Sequence, residues 1–315
     1  MVRKVETRSA PHAVAVLVGS ALYGGITVGG RYFDQLGFSL LEISIMGGLF
    51  GTLTLLPALW RRPEWRIQWS EKWLFVAYGL MGTTLQLTQF AAVVLGVPIA
   101  IVALLLYTQP VWTVLLGRLW LAEPITRRKL AALALAAIGI VLLVGPTDGQ
   151  GEHSTIGMAA AAVAGVMLSL WVILARLSAL RGNHPVTTTF GYQSSTTLGL
   201  FVIWAAMSLS GQQPEMWRLD PGVFAVHWLP VLIYTAAVNL GPNLLVMWGM
   251  RGQEASIAGV LLLTEPVAAA ILAWLMFGET VTGHVWLGGA FILGANAALV
   301  ARVPGRRASS GPEPA

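Results

Sequence analysis

Long apolar runs separated by short polar stretches fill almost the whole chain. Because a helix needs about 20 mostly apolar residues to cross a bilayer, these runs predict ten membrane-spanning helices. The expected bounds are 12–32, 38–59, 73–95, 98–121, 129–145, 155–177, 185–209, 222–250, 254–277 and 282–302. Residues 303–315 carry the sequence VPGRRASSGPEPA, which predicts a disordered tail.

Composition sets the solvent in which the chain folds. It is 56% hydrophobic and only 10% charged, whereas a soluble domain is about 25% charged. We therefore expect an all-α integral membrane protein with almost nothing left for a soluble domain. Since nine more spans follow the first, we interpret that span as an uncleaved helix and not as a signal peptide.

The basic residues indicate the orientation of the spans. With the N-terminus inside, 17 of the 19 Lys and Arg residues fall on the cytoplasmic side, and Arg31 and Arg218 are the two outside. This excess follows the positive-inside rule and predicts an N-in, C-in topology, with residues 1–11 as a cytoplasmic segment. It also explains the net charge of +5 without a nucleic-acid partner. Four tryptophans in the basic loop after the second span predict an interfacial belt: Trp60, Trp65, Trp69 and Trp73.

An internal repeat links two of the spans. The stretch TQPVWTVLLGRLWLAEP at 108–124 matches TEPVAAAILAWLMFGET at 264–280, with Thr, Pro, Val and Glu recurring at an offset of 156 residues. The same offset aligns Tyr78 with Tyr234 and Gly96 with Gly252. The chain therefore divides into two related halves.

The two halves are predicted to be inverted. Ten spans divided into two copies give five per copy, and an odd number places the copies in opposite orientations. We expect a first repeat at 12–145 and a second at 155–302. Inverted repeats are typical of alternating-access carriers, in which substrate binds near the midplane beside interrupted helices. Duplication of a packing unit without transport is the alternative.

The repeated segment has the form [Q/E]-P-V … E-x-[IV]-T, at 109–126 and at 265–282, and is followed each time by a last apolar helix. This paired arrangement resembles the EamA-type drug/metabolite transporter superfamily over nearly the whole chain. The resemblance implies a ten-helix transporter, usually an exporter of metabolites. Within the superfamily, the subgroup that we expect the chain to resemble is the aromatic amino acid exporters of the YddG type.

Two spans carry polar side chains at membrane depth. In the third, Tyr78 and Gln89 share one face, with Gln86 further round. In the eighth, Asn239 and Asn243 lie one turn apart around Gly241 and Pro242, where the helix should break. Both patterns predict a substrate cavity, although helix–helix hydrogen bonds would also use such amides.

Aromatic residues extend this prediction. No Lys or Arg lies in the middle of a span, so a neutral or zwitterionic solute fits better than an organic phosphate. Freed carbonyls, amides and one carboxylate would receive an ammonium group, and aromatic rings would form apolar walls. The predicted walls are Tyr78, Trp112, Trp171, Tyr234 and Trp248. Packing against lipid is the alternative for each.

The repeated prolines and the acid beside one of them predict moving parts. Pro110 and Pro266 occupy corresponding places, and we predict that both, with Pro242, act at gates or as static kinks. Glu265 lies near the middle of the ninth span, where an ionised acid costs about 2.5 to 3.5 kcal/mol. It should be neutral or partnered, and we predict that a proton and a cationic substrate compete for it. A permanently protonated Glu265 is the alternative.

Three functions remain open at this stage. The first is secondary export of amino acids or similar metabolites, the second export of lipophilic cations and drugs, and the third membrane enzymology. We find no catalytic constellation, no ATP-binding motif, no cysteine and no metal-ligand spacing, and we expect no cofactor. The expected partners are a small-molecule substrate, the lipid bilayer and protons as a candidate coupling ion. We expect a monomer or weak dimer in a bacterial inner membrane.

Overall fold

The computed structural model describes residues 10–145, 154–211 and 215–301, and these residues form helices and loops without any β-strand. Most of the predicted N-terminal segment and all of the predicted tail lie outside the described residues. The helices are α1 (Ala10–Tyr23), α2 (Gly25–Gln35), α3 (Leu40–Arg61), α4 (Lys72–Val94), α5 (Ile99–Leu106), α6 (Gln109–Trp120), α7 (Arg127–Val144), α8 (Thr155–Leu180), α9 (Pro185–Leu209), α10 (Pro221–Val226), α11 (Trp228–Tyr234), α12 (Gly241–Gly249), α13 (Ala255–Leu261), α14 (Thr264–Phe277) and α15 (Gly283–Val300).

Seven helical segments among the described residues are long and apolar enough to cross a membrane. They are Ala10–Gln35, Leu40–Arg61, Ile99–Trp120, Thr155–Leu180, Trp228–Gly249, Ala255–Phe277 and Gly283–Val300. The other three predicted spans also form helices, α4, α7 and α9, but these are more polar. Helix α7 begins with three basic residues, and α9 carries a run of Thr, Ser and Gln. The chain is therefore a multi-pass membrane protein.

Four predicted spans are interrupted. The fourth span breaks between α5 and α6, and the ninth between α13 and α14, in both cases just before the repeated proline. The eighth span contains a π-helix over Thr235–Leu240, which ends next to Pro242. The first span, predicted to be continuous, is divided at Gly24. Each proline lacks the backbone N–H that would continue the ladder, so a break at these points follows from the sequence.

A neighbouring helix contacts each backbone carbonyl that the repeated prolines leave without its helical N–H partner. The Leu262 carbonyl accepts a 2.7 Å hydrogen bond from the buried Ser20 hydroxyl of α1. At the corresponding place, the Leu106 carbonyl lies against Gly165 of α8, where an added Cβ would be 3.1 Å from the oxygen. Interrupted helices survive in lipid where adjacent helices cover the exposed backbone in this way.

Helix packing pairs elements of the two halves. Helix α1 packs on α12 and α14 of the second half, and α8 packs on α4 and α6 of the first half. Helices α3 and α9 contact each other, as do α6 and α13. Under the exchange of one half for the other, the contacts of α1 correspond to those of α8, and the α3–α9 contact corresponds to itself. The α6–α13 contact has no comparable counterpart between α14 and α5.

The contact between α7 and α15 is the most extensive contact between two helices of the described residues. An added Cβ at Gly288 would lie 2.6 Å from the Gly139 carbonyl oxygen, so neither position has room for a larger side chain. Arg128 adds a 2.6 Å hydrogen bond from Nε to the Ala298 carbonyl, and a second bond to the Ala301 carbonyl. Small residues that allow such close backbone approach are typical of tight helix pairs in membranes.

Polar loop residues gather at two opposite ends of the bundle. At the first, here called the Glu123 end, Glu71 pairs with Arg181 at 2.9 Å, and Trp65 stacks on His184 at 4.2 Å. At the second, called the Glu279 end, Arg31 pairs with Glu279 and Arg218 donates to the Gly37 carbonyl at 2.9 Å. The Glu123 end collects loops predicted to be cytoplasmic, and the Glu279 end collects loops predicted to be outside.

Candidate substrate site

Four aromatic rings from four helices meet in the middle of the bundle. We call Tyr23 (α1), Tyr78 (α4), Trp171 (α8) and Tyr192 (α9) the aromatic cluster. Trp171 contacts Tyr23 and Tyr192 edge-on, with ring centroids 6.2 and 6.0 Å apart, and Tyr192 lies 5.5 Å from Tyr78. Tyr23, Tyr78 and Trp171 are all buried. The cluster brings together the predicted residues Tyr78 and Trp171.

Two hydrogen-bond donors of this cluster have no partner. The Tyr78 hydroxyl and the Trp171 indole N–H are buried and make no hydrogen bond to the described residues. Buried donors are normally satisfied, and leaving one unpaired costs about 1 to 3 kcal/mol. The cluster thus contains two buried donors that could each bond to an added acceptor.

Glu265 lies at the start of α14, directly after the break in the ninth span. The residue is partly exposed, and three phenols lie in its neighbourhood: Tyr23, Tyr107 and Tyr234. Tyr23 thus borders both the aromatic cluster and this acid. The first turn of a helix carries partial positive charge, which favours a carboxylate there.

Gln109, the counterpart of Glu265 in the first repeat, has different surroundings. It is 1% exposed, and its amide donates to the Thr113 hydroxyl at 2.6 Å. Thr113 in turn donates to Ser169 at 3.1 Å, and Gly259 of α13 packs against both Gln109 and Thr113. Gln109 is therefore enclosed by neighbouring helices, whereas Glu265 is partly exposed.

Three amides form a second polar group beside the π-helix. Gln193 of α9 donates to the Asn239 side chain at 2.6 Å, and Asn243 donates to the Asn239 carbonyl at 2.9 Å. The Oδ1 atom of Asn243 and the Oε1 atom of Gln193 are buried without a partner. The predicted residues Asn239 and Asn243 thus lie together, and the break at Pro242 is what positions them.

Four other residues predicted to contact substrate lie away from the aromatic cluster. Gln86 and Gln89 are partly exposed on α4, about 12 and 16 Å along the helix axis from Tyr78. Trp112 is on the exposed face of α6, bonded to Thr108, and Trp248 is 38% exposed and stacks on His12. These four residues lie outside the aromatic cluster, and their predicted contact with substrate stays a prediction.

The Glu123 end is closed by a buried carboxylate. Glu123 is 7% exposed and accepts hydrogen bonds from the backbone N–H groups of Ala255 and Ser256, at 2.6 and 3.0 Å. It also accepts the Ser256 hydroxyl at 2.5 Å. These contacts attach the loop after α6 to the start of α13, which joins the two repeats.

Further charges surround this contact. Lys129 is 3% exposed and lies 2.5 Å from Glu254 and 3.9 Å from Glu123. Arg176 is buried beside both acids and donates to the Met250 carbonyl at 2.5 Å. We call Glu123, Lys129, Arg176 and Glu254 the charged seal. Breaking a buried pair of this kind by removing one partner costs about 3 to 5 kcal/mol.

Sequence reasoning missed several of these residues. Tyr23, Tyr107 and Tyr192 join the site only through helix packing, although each is a tyrosine within a predicted span. The charged seal had a clearer signal, because Glu123 recurs as Glu279 in the repeat. No group of three or more His, Asp or Glu side chains suited to a metal occurs in the described ranges.

The sequence profile of the EamA-like transporter family matches residues 11–145 and again residues 155–301. The chain belongs to the EamA-like transporter family. Two consecutive matches agree with the internal repeat. This membership, with seven membrane-compatible helices, makes the chain a transporter of the cell membrane and points away from an enzyme.

Relatives within the EamA-like family are distant. An uncharacterized transporter of Archaeoglobus fulgidus is 26% identical over 285 residues, covering 89% of this chain and 92% of its own. A protein of Escherichia coli K12, named as a probable amino-acid metabolite efflux pump, is 26% identical over 79% of this chain and 82% of its own. One crystal structure matches with a TM-score of 0.72 at 20% identity, covering 92% of this chain and 96% of that one, which shows a shared fold.

Proposed function

We propose that this EamA-like transporter exports amino acids, with aromatic and other apolar side chains favoured, by alternating access. The observation that carries this proposal is the aromatic cluster, with its two unpaired donors, next to Glu265. An amino acid presents an ammonium group, a carboxylate and a side chain. The site offers a carboxylate, two donors and a cluster of aromatic rings, which are complementary to those three parts.

The unpaired donors favour a zwitterion over a lipophilic cation. A cation would use Glu265 and the surrounding phenols, because aromatic faces and carboxylates both attract positive charge. It would leave the Tyr78 hydroxyl and the Trp171 N–H unsatisfied, which is unfavourable in a buried site. The carboxylate of an amino acid would accept both hydrogen bonds. Export of lipophilic cations is therefore the second candidate.

Glu265 is proposed as the coupling residue. A carboxyl at this depth is stable when it is protonated or when a cation lies beside it. Binding of the substrate ammonium and binding of a proton therefore exclude each other. Gln109 has the same shape in the first repeat but does not titrate, so coupling would be confined to the second repeat.

We further propose ten spans in two inverted repeats, with both termini in the cytoplasm. The mirrored helix pairs of the two halves support this arrangement, as does the separation of the predicted inner and outer loops to the two ends. In this orientation the charged seal closes the cytoplasmic side. The structure would then correspond to an outward-facing state.

A transport assay tests the proposed substrate. Purified protein in liposomes is loaded with labelled phenylalanine, with the cationic dye ethidium or with a nucleotide sugar, and release is followed under an imposed pH gradient. We expect the fastest release for phenylalanine. Release of ethidium alone would favour the second candidate, and release of neither amino acid nor dye would contradict the proposed function.

Substitution of the coupling residue tests the mechanism. Glu265→Gln keeps the size of the side chain but removes the titrating group, so phenylalanine transport should become independent of the pH gradient. A Gln109→Asn variant, changed at the corresponding position, should still respond to the gradient. If Glu265→Gln responds like the parent, Glu265 is not the coupling residue.

Single cysteines test the topology. Because the chain contains no cysteine, Arg127→Cys and Gly283→Cys each introduce one thiol, at the start of α7 and of α15. A membrane-impermeant maleimide should label them from opposite sides of the membrane. Labelling of both from one side would refute the inverted repeat.

A further inference from the structure

A cavity of about 640 Å³ lies at the periphery of the helix bundle near the Glu123 end, where α3 meets α9. Leu56 and Pro57 of α3 and Phe190 of α9 form its apolar walls. Arg61 and Arg66 line the same cavity, with Trp60 at its rim. The cavity is separate from the aromatic cluster and from Glu265.

The loop after α3, which contributes Arg66 and Ile67 to the lining of the cavity, is held in place. Arg66 donates from Nε to the Leu59 carbonyl at 3.1 Å and from Nη2 to the Trp60 carbonyl at 3.3 Å, at the end of α3. The Trp65 carbonyl accepts a 2.5 Å hydrogen bond from the Thr187 hydroxyl of α9. The cavity is therefore preformed, because both walls are fixed to the ends of helices.

The exposed tryptophans indicate the depth of the cavity in the membrane. Trp60 and Trp69 are both 80% exposed, and Trp73 is 71% exposed. Such rings are stable at the level of the lipid headgroups, where one edge is wet and the other apolar. Leu53 and Leu56 of α3 are also exposed and lead from this level toward the hydrocarbon. The arginines thus lie at headgroup depth and the apolar walls below them.

The charge around the cavity is positive. No acidic side chain lines it among the described residues. The nearest acid of the loop, Glu64, lies 3.7 Å from Arg62, which is outside the cavity lining. Burial and the charge of Arg251 lower the pKa of His184, which disfavours a positive charge on that ring. The positive charges of Arg61 and Arg66 therefore have no acidic partner within the cavity lining.

We propose that this cavity binds an anionic membrane phospholipid. Arg61 and the free N–H groups of Arg66 hold the phosphate, and one acyl chain lies along Leu56, Pro57 and Phe190. Arginine suits this role because its planar donors match phosphate oxygens. Basic pockets between helices on the cytoplasmic side are a recurring way of binding anionic lipid.

The test compares two lipids that differ in charge. The full-length protein in detergent is titrated with dioleoylphosphatidylglycerol or with dioleoylphosphatidylcholine, and bound lipid is counted by native mass spectrometry. The first should bind at least tenfold more tightly. Arg61→Gln should weaken its binding about fivefold, as expected for one basic residue near a lipid surface. Arg62→Gln is the matched control, because Arg62 interacts with Glu64 and Trp65, and it should bind like the parent.

A second variant separates the cavity from its charge. Leu56→Trp fills the apolar part without changing a charged residue, and it should also reduce phosphatidylglycerol binding severalfold. Glycerol 3-phosphate, which has the headgroup charge without acyl chains, should compete at least a hundredfold less well. Equal binding of the two lipids, equal effects of Arg61→Gln and Arg62→Gln, or full competition by glycerol 3-phosphate would overturn the proposal.

Discussion

The two ends of the bundle carry the same repeated acid in opposite surroundings. Glu123 is 7% exposed and binds the start of α13, whereas the side chain of Glu279 is 51% exposed and pairs with Arg31, itself half exposed. Both acids follow the same helix of their repeat at the same position of the motif. The contacts of a repeated residue therefore depend on its surroundings in each half, which the sequence repeat alone does not specify.

The comparison also shows that the two ends are not equivalent in chemistry. At an offset of 156, Ser256 corresponds to Ala100 and Lys129 corresponds to Val285. If Glu279 contacts the start of α5 in an inward-facing state, it finds backbone N–H groups but neither a hydroxyl nor a lysine. We therefore expect the charged seal to be stronger than a contact between Glu279 and the start of α5. On the proposed topology, the outward-facing state should then be favoured without substrate.

The largest effect should come from breaking the charged seal. Glu123→Ala leaves the α13 start uncapped and Lys129 with one acid fewer, at a cost of about 3 kcal/mol, or roughly 100-fold. A reporter Ala258→Cys, buried in α13, should react with a hydrophilic maleimide about 100-fold faster in this background. Glu279→Ala is the control and should leave the rate unchanged. Equal reporter rates in both backgrounds would remove the seal from the mechanism.

The next effect concerns Tyr78 and its repeat partner Tyr234. Removing the unpaired Tyr78 hydroxyl costs the folded protein nothing, but it removes a hydrogen bond to a bound carboxylate, worth about 1.5 kcal/mol or more. Tyr78→Phe should weaken phenylalanine binding about tenfold without lowering the melting temperature. Binding of phenethylamine, which lacks the carboxylate, should not change.

Tyr234→Phe sharpens the comparison. Its ring packs on Phe33 at 5.2 Å and its hydroxyl belongs to the surroundings of Glu265, so we expect a shifted pH response and little loss of affinity. If Tyr78→Phe instead destabilises the protein and spares binding, the hydroxyl has a packing role.

A smaller effect is expected from the repeated prolines. Pro266→Ala restores an N–H that competes with Ser20 for the Leu262 carbonyl. Pro110→Ala restores an N–H that can bond to the Leu106 carbonyl, which packs against Gly165. Each change should slow transport about threefold with KM unchanged. Pro57→Ala, within the uninterrupted helix α3, should have no effect on the rate. Unchanged transport in all three variants would make the prolines static kinks.

The smallest effect should follow removal of the exposed ion pair at the Glu279 end. Surface pairs contribute about 0 to 1 kcal/mol. Arg31→Gln should therefore shift the melting temperature by no more than about 2 °C, whereas Lys129→Gln should lower it clearly. A large loss of stability in Arg31→Gln would contradict the difference between the two ends.

Much of the helical framework could be predicted from the sequence. The predicted spans 38–59 and 185–209 correspond to Leu40–Arg61 and Pro185–Leu209. Apolar runs of bilayer length specify such helices directly, and the missing N–H of proline specifies the interruptions. The division at Gly24 was missed because no proline marks it, and the backbone of α14 packs directly against this glycine.

The site was less predictable than the framework. Tyr78 and Trp171 could be selected because polar and aromatic groups in a span need partners. Tyr192 joins them because α9 packs on α4. The periodicity of a single helix does not predict which helices pack together. Lys129 was counted only as a cytoplasmic charge, yet it is buried against Glu254, because closure of the seal brings two distant loops together.

The close contact of α7 with α15 gives the molecule an internal reference frame. Because Gly139 and Gly288 leave no space between the two backbones, this pair should move as one rigid body while other helices tilt. Spectroscopic labels on α7 and α15 should report a single, constant distance in every state. Distances measured from this pair to α5, α6, α13 and α14 would then report the motion of those helices alone, because one end of each distance stays fixed.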